Sequence, residues 1–249
     1  LPTVALAGEN DSGFSVTVTI EGLTLGQGFY VEPTTYTLDQ INTLVKDEAG
    51  SDLTAETLTA DYAILAMLKD KKLEYDSTGS FGNDFYLAGV KGIDKGTLNV
   101  PQIILEKSGK TLSNFQGAGN EDEYLGQFDY NSDSGWMITV DNALITKGAG
   151  QWNLKNGDVI RVQFSLCNRG ADLGYDNNWG MGDVPYFTAA DKDELCRKYA
   201  ASTDEAYRAN AKTVLENLTA SEADIAAALK GETPEISTKP TGITIEPQV

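Results

Sequence analysis

Two stretches far apart in the chain, residues 14–21 and 159–166, alternate apolar and polar side chains with the two-residue period of a β-strand, and this most constrains the fold. In the first, Phe14, Val16, Val18 and Ile20 face one way and Ser15, Thr17, Thr19 and Glu21 the other. In the second, Ile160, Val162, Phe164 and Leu166 oppose Arg161, Gln163 and Ser165. Each predicts a half-buried strand. A third run sets Trp136, Ile138 and Val140 against Met137, Thr139 and Asp141, and the Asn156-Gly157 pair supplies a tight turn before residue 159. Phe29-Tyr30-Val31 begins another extended segment, which Pro33 is expected to interrupt.

Between these strands the apolar spacing becomes helical. Leu38, Ile41, Leu44 and Val45 fall on one helical face, and Ile64, Leu65 and Leu68 follow Thr59, a candidate cap. This helical region is expected to cross the sheet. Phe85-Tyr86-Leu87 and the run Val100, Gln102, Ile103, Ile104 and Leu105 predict further strands. The order is that of an α+β protein. From Thr188 the composition turns Ala-rich, with capping starts at Thr188/Asp191, Ser202/Glu205 and Ser221/Asp224, the second being a full capping box. Behind them stand Leu195 and Tyr199, then Tyr207, Ala211, Val214, Leu215 and Leu218, then Ile225, Ala228 and Leu229, with Gly231 as a stop. Three helices this short need packing partners. The expected organisation is a sheet domain over 1–187, a helical subdomain over 188–232 and a Pro- and Thr-punctuated linker over 233–249.

Charge and residue types exclude much chemistry. With 37 acidic and 19 basic residues the formal charge is −18, a field that repels nucleic acid and anionic membrane surfaces. The acidic residues are spread along the chain and read as the solvated surface of an exported protein, the other reading being a surface that attracts cations. The chain has no histidine, so Ser-His-Asp and Cys-His catalysis and His-ligated zinc are absent. Cys167 and Cys196 are too far apart in sequence for a Cys-x-x-Cys pattern; in an exported protein they are a candidate disulfide, otherwise two buried thiols. No stretch has the ~20 apolar residues of a membrane span. Residues 1–8 are apolar without a basic leader and read as the remainder of a removed signal segment, which implies an extracellular, cell-surface or wall-associated location.

Two clusters resemble ligand sites. Asp129, Asn131 and Asp133 place oxygen ligands at alternate positions, as a calcium loop requires, although Gly135 falls one place late and Val140 stands where a bidentate Glu belongs. A polar turn ahead of a strand explains the same residues. Tyr175, Trp179 and Tyr186 are interleaved with Asp172, Asp176, Asn177, Asn178 and Asp183, and with Trp152 they form a candidate surface for stacking a glycan or planar ligand. The other reading is a long loop anchored by its aromatics; Trp136 reads as core. Gly26-Gln27-Gly28 precedes strand character, so it fails as a dinucleotide loop. Adjacent carboxylates abound, but nothing shows two of them facing across a cleft. A non-enzymatic module is expected.

Three parts of the chain resemble the transcobalamin-carboxy-terminal-like domains of Gram-positive surface proteins, a β-grasp family largely without assigned function. They are residues 16–33 (VTVTIEGLTLGQGFYVEP), Leu73-Glu74-Tyr75 with residues 85–90, and residues 134–173, which hold the Ser-Gly-Trp-Met and Gly-Asp-Val-Ile pieces. The resemblance covers about residues 12–187 and implies a β-grasp-like mixed sheet with a crossing helix, followed here by the small helical subdomain. Residues 240–247 resemble the lead-in to a bacterial immunoglobulin-like domain, which implies a fragment of a larger surface protein. Adhesion, or binding of a host or cell-surface protein, is the function this implies. The alternative is a small-ligand binder for a corrinoid (cobalamin) or a glycan, using Trp152, Tyr175, Trp179 and Tyr186. A histidine ligand to cobalt is excluded by composition.

Overall fold

The computed structural model describes residues 13–93, 95, 97–115, 123–177 and 183–233, and the backbone of residues 242–245. Its strands are β1 (Ser15–Glu21), β2 (Phe29–Thr37), β3 (Tyr75–Thr78), β4 (Tyr86–Lys91), β5 (Leu98–Pro101), β6 (Tyr124–Gly126), β7 (Gly135–Val140), β8 (Ala143–Leu144), β9 (Val159–Ser165) and β10 (Gly242–Ile245). The helices are α1 (Leu38–Leu44), α2 (Lys46–Ala49), α3 (Ala60–Asp70), α4 (Gln102–Ser108), α5 (Asp193–Ala201), α6 (Glu205–Leu215) and α7 (Glu222–Leu229).

The two alternating stretches become neighbours. β1 and β9 pair in parallel, Ile20 opposite Val162, at the centre of a five-stranded sheet of order β2-β1-β9-β7-β8 whose other pairs are antiparallel. An opening hairpin, a crossing helix and a last strand returning parallel to the first make up the expected β-grasp arrangement. α3 is that helix, buried at every position from Ala60 to Leu68. A helix so apolar on all sides belongs between layers. A second sheet of order β3-β4-β6 adjoins β7, and β10 pairs antiparallel with β5, Ile243 opposite Val100.

Five local expectations are corrected. Pro33 does not interrupt β2. Val18 pairs with Thr34 and Ile20 with Val31, so Glu32 and Pro33 share the position opposite Thr19 in a bulge on an edge strand, where a missing N–H costs no ladder bond. The run from Val100 to Leu105 is not one strand, because β5 stops at Pro101 and α4 follows; a short apolar run fits either period. Thr188 starts no helix, α5 beginning only after Lys192. α6 is capped by Asp204, whose carboxylate accepts the Tyr207 N–H at 3.0 Å, and not by Ser202. The start at Ser221 and Asp224 does hold on α7, where the two form a full capping box. Gly242–Ile245, inside the expected linker, is a strand.

The central strands differ from expectation in having both faces buried. Phe14, Val16, Val18 and Ile20 join the main core, while Thr17, Thr19, Glu21, Arg161, Gln163 and Ser165 are buried on the opposite side. Val159 belongs there to a second apolar cluster with Leu195, Tyr199, Val214, Leu215 and Ile225 of α5–α7. Burial of each such large side chain stabilises by about 1.5–3 kcal/mol, which supplies what helices of this length lack alone. Polar bonds fix the docking. Glu32 of β2 accepts from Tyr199 Oη and Lys212 Nζ, each at 2.6 Å, and Lys192 Nζ donates to the carbonyls of Leu215 and Asn217 at 2.9 and 2.7 Å.

Candidate functional site

The β7–β8 turn sets the geometry of the site. Asp141 and Asn142 have left-handed backbones, φ 54° and 51°, as a two-residue hairpin turn requires. Val140 then pairs with Ala143, the Ile138 carbonyl accepts the Ile145 N–H at 3.1 Å, and beyond the start of β7 the Ser134 carbonyl accepts the Phe128 N–H at 3.0 Å. Alternate residues of an antiparallel strand direct their main-chain polar groups to the same side. Trp136, midway between Ser134 and Ile138, therefore turns its main-chain N–H and C=O toward this same edge. Among the described residues no strand is hydrogen-bonded to that edge opposite Gly135–Met137, β4 of the second sheet approaching β7 without pairing to it, and no hydrogen bond reaches the Trp136 main chain there.

A two-lobed cleft occupies this position. One lobe, about 380 Å³, lies between β4 and β7 and is walled by Phe85, Leu87, Met137 and Ile145, with Lys147 on its lining. The other, about 340 Å³, is lined by Gln127, Phe128, Ser132, Asp133 and Arg169. Tyr86, Trp136 and Met137 belong to both lobes and mark the waist. The Trp136 ring is core, as expected: its Nε1 donates to the Leu125 carbonyl at 2.9 Å, and it meets Phe164 edge-on at 5.2 Å. Of the large apolar side chains exposed among the described residues, Tyr86, Phe128 and Val184, two stand at this cleft. Phe128 and Arg169 also have φ of +69° and +46°. Left-handed backbone costs a bulky L-residue about 1–2 kcal/mol, and such strain collects where a side chain must be presented to a ligand.

Of the candidate calcium residues, Asp133 lines the second lobe. Asp129 accepts the Gly126 N–H at 2.9 Å and lies 3.5 Å from Lys95 Nζ, while Asp133 accepts the Asn168 N–H at 2.9 Å and a bond from the Asn131 amide. Asn131 Nδ2 also donates to the Leu166 carbonyl at 3.0 Å. Their oxygens thus serve turn closure, and among the described residues no group of three or more acidic or sulfur side chains is placed to hold a metal.

The three candidate aromatics among the described residues take separate positions. Trp152 lies in the segment that meets the start of α3, its carbonyl accepting the Ala60 N–H at 3.0 Å. Tyr175 is buried, with its hydroxyl between Arg161 and Asn142. Tyr186 bonds Asn168 and lies 3.5 Å from Cys167 Sγ, tying down the loop after β9. Trp179 and Asn178 lie outside the described residues. In the same loop Asp172 is wholly buried and accepts from Ser165 Oγ and the N–H groups of Leu166 and Cys167. Burial pushes its carboxyl up to about 7.

The expected Cys167–Cys196 disulfide does not form. Both thiols are free and buried, Cys167 in the main core and Cys196 in the helical cluster. The polar face of the central strands keeps these regions separate. Burial raises both thiols to about 12, which leaves them inert at neutral pH. On that polar face Arg161 donates to both oxygens of Glu21, at 2.8 and 2.9 Å, and burial lowers nearby Lys192 to about 7. Tyr86, Phe128, Lys147 and Arg169 of the cleft carry no motif in the sequence, because it is exposure and backbone strain that single them out.

One family matches part of the chain. The sequence model of a domain of unknown function (DUF4430) matches residues 121–165, the segment holding β6–β9 and the Trp136 edge. No curated protein and no solved structure matches the chain.

Proposed function

We propose that this chain is a non-enzymatic recognition module of a larger exported bacterial surface protein, taking its ligand in the cleft beside β7. The carrying observation is the placement of strained, exposed Phe128 and exposed Tyr86 around an open strand edge. The cleft is mainly apolar, and its one lining carboxylate, Asp133, is committed to Asn131 and Asn168; with no histidine in the chain, this supports binding over catalysis. The resemblance to the transcobalamin-carboxy-terminal-like domains and the acidic charge support an extracellular, cell-wall-associated setting, with a host or cell-surface protein as partner.

A second reading, a small-ligand binder for a corrinoid or glycan, draws on the same resemblance and on lobes within the volume range of small-molecule sites. Titration of the full chain with peptides, cobalamins and oligosaccharides, followed by the amide resonances of Gly135–Ile138, tests both. Shifts confined to the cleft and lost in Thr146→Tyr, an exposed lining position, support the proposal. Silence across all three classes overturns it.

A further inference from the structure

We infer that the open β7 edge binds an extended acidic–apolar peptide as an added strand, with the Trp136 main chain as its hydrogen-bonding partner. The inference rests on the reading of the cleft as the binding site and specifies its occupant. A main-chain N–H and C=O that face a cleft without a protein partner are free to bond a ligand, and the ligand that offers both at strand spacing is another main chain. The gap runs from Ser134, taken by Phe128, to Ile138, taken by Ile145. At the rise of a strand this is about 13 Å, room for three or four residues. The side walls suit alternating side chains: the lobe between β4 and β7 accepts an apolar group against Phe85, Leu87 and Ile145.

Charge settles the rest of the ligand. The cationic side chains on the two linings are Lys147 in one lobe and Arg169 in the other, in a chain whose net charge is −18. Such cations attract carboxylates that the rest of the surface repels. Arg169 in particular is held by a left-handed backbone on the lining of the second lobe, where a planar guanidinium can take a carboxylate with two hydrogen bonds. The occupant is therefore a segment with a large apolar residue in the first lobe and an Asp, Glu or terminal carboxylate toward Arg169.

Selection of a displayed random heptapeptide library on the full chain tests this. Enriched peptides are expected to pair an apolar with an acidic residue, and one of them, made synthetically, is expected to slow hydrogen exchange at the Trp136 amide. Methylating the peptide nitrogen opposite Trp136 abolishes binding. Arg169→Gln weakens it about tenfold or more, the loss of a charge-assisted bond, and Thr146→Tyr blocks it; both positions are outside the core, so folding is checked by an unchanged amide spectrum elsewhere. If no peptide is enriched, or a bound peptide tolerates methylation and leaves Trp136 exchange unchanged, the inference fails. A cobalamin or oligosaccharide that shifts Gly135–Ile138 in that case leaves the recognition reading standing, whereas silence from every class removes both.

Discussion

Phe128 is 58% exposed on a backbone at φ +69°, an arrangement that folding alone does not favour. Phe128→Gly relieves the left-handed strain at the cost of glycine's extra chain entropy, so stability to urea is expected to rise by about 0.5–1 kcal/mol, while peptide affinity falls. Loss of stability would show that the ring serves the fold. Glu21 presents the opposite case. Its carboxylate takes Arg161 Nε and Nη2 in a buried pair, and Glu21→Gln leaves the guanidinium uncompensated, a loss of about 3–5 kcal/mol in urea denaturation.

Two buried carboxyls give a pH signature at the same scale. Burial raises Asp172 to about 7 and Asp193 to about 6, above the ordinary value of 3.8. Between about pH 4 and 7 the folded chain thus holds protons that the unfolded chain has released, so these groups make stability rise as pH falls through that window. Asp172→Asn keeps an acceptor for the Leu166 and Cys167 N–H groups and is expected to flatten the slope in urea midpoints measured from pH 4 to 7. At Asp129, Asn131 and Asp133, where the oxygens already accept protein donors, melting with and without a calcium chelator is expected to give the same midpoint.

Elements show why some boundaries are legible and others are not. Ser221 and Asp224, expected as a capping start, form a full box, because such a start is read from residues three apart in sequence. Ser202 with Glu205 carries the full box pattern, yet Asp204 takes the role, since several residues compete for one helix start. Asp204→Ala is therefore expected to lower stability by about 1 kcal/mol and Ser202→Ala by much less, measured by thermal unfolding. Pro33 and the Val100–Leu105 run were likewise undecidable locally: an edge strand tolerates proline, and β5 gains its partner from residues 242–245, far along the chain. The cleft belongs to this scale too, since its edge exists because β8 is only two residues long.

At the scale of the molecule, α5–α7 and the sheet share the Val159 cluster, the Glu32 contacts and the polar layer around Arg161. Helical circular dichroism and tryptophan fluorescence are expected to report one coincident unfolding transition. Two separated transitions would mean that the helices fold as an independent unit.

By itself the sequence determined the α+β class, the amphipathic strands, the crossing helix, the Trp136 core position and the absence of imidazole chemistry, all of which follow from composition or from periodicity over a few neighbouring residues. Only the tertiary structure decided that the polar faces of β1 and β9 are covered, that Cys167 and Cys196 stay apart, that Tyr175 is interior, and that Tyr86, Phe128 and Arg169 meet at an open edge. These depend on which distant segments stack on each face, and burial, pairing and strain are properties of that assembly with no local signature in the chain.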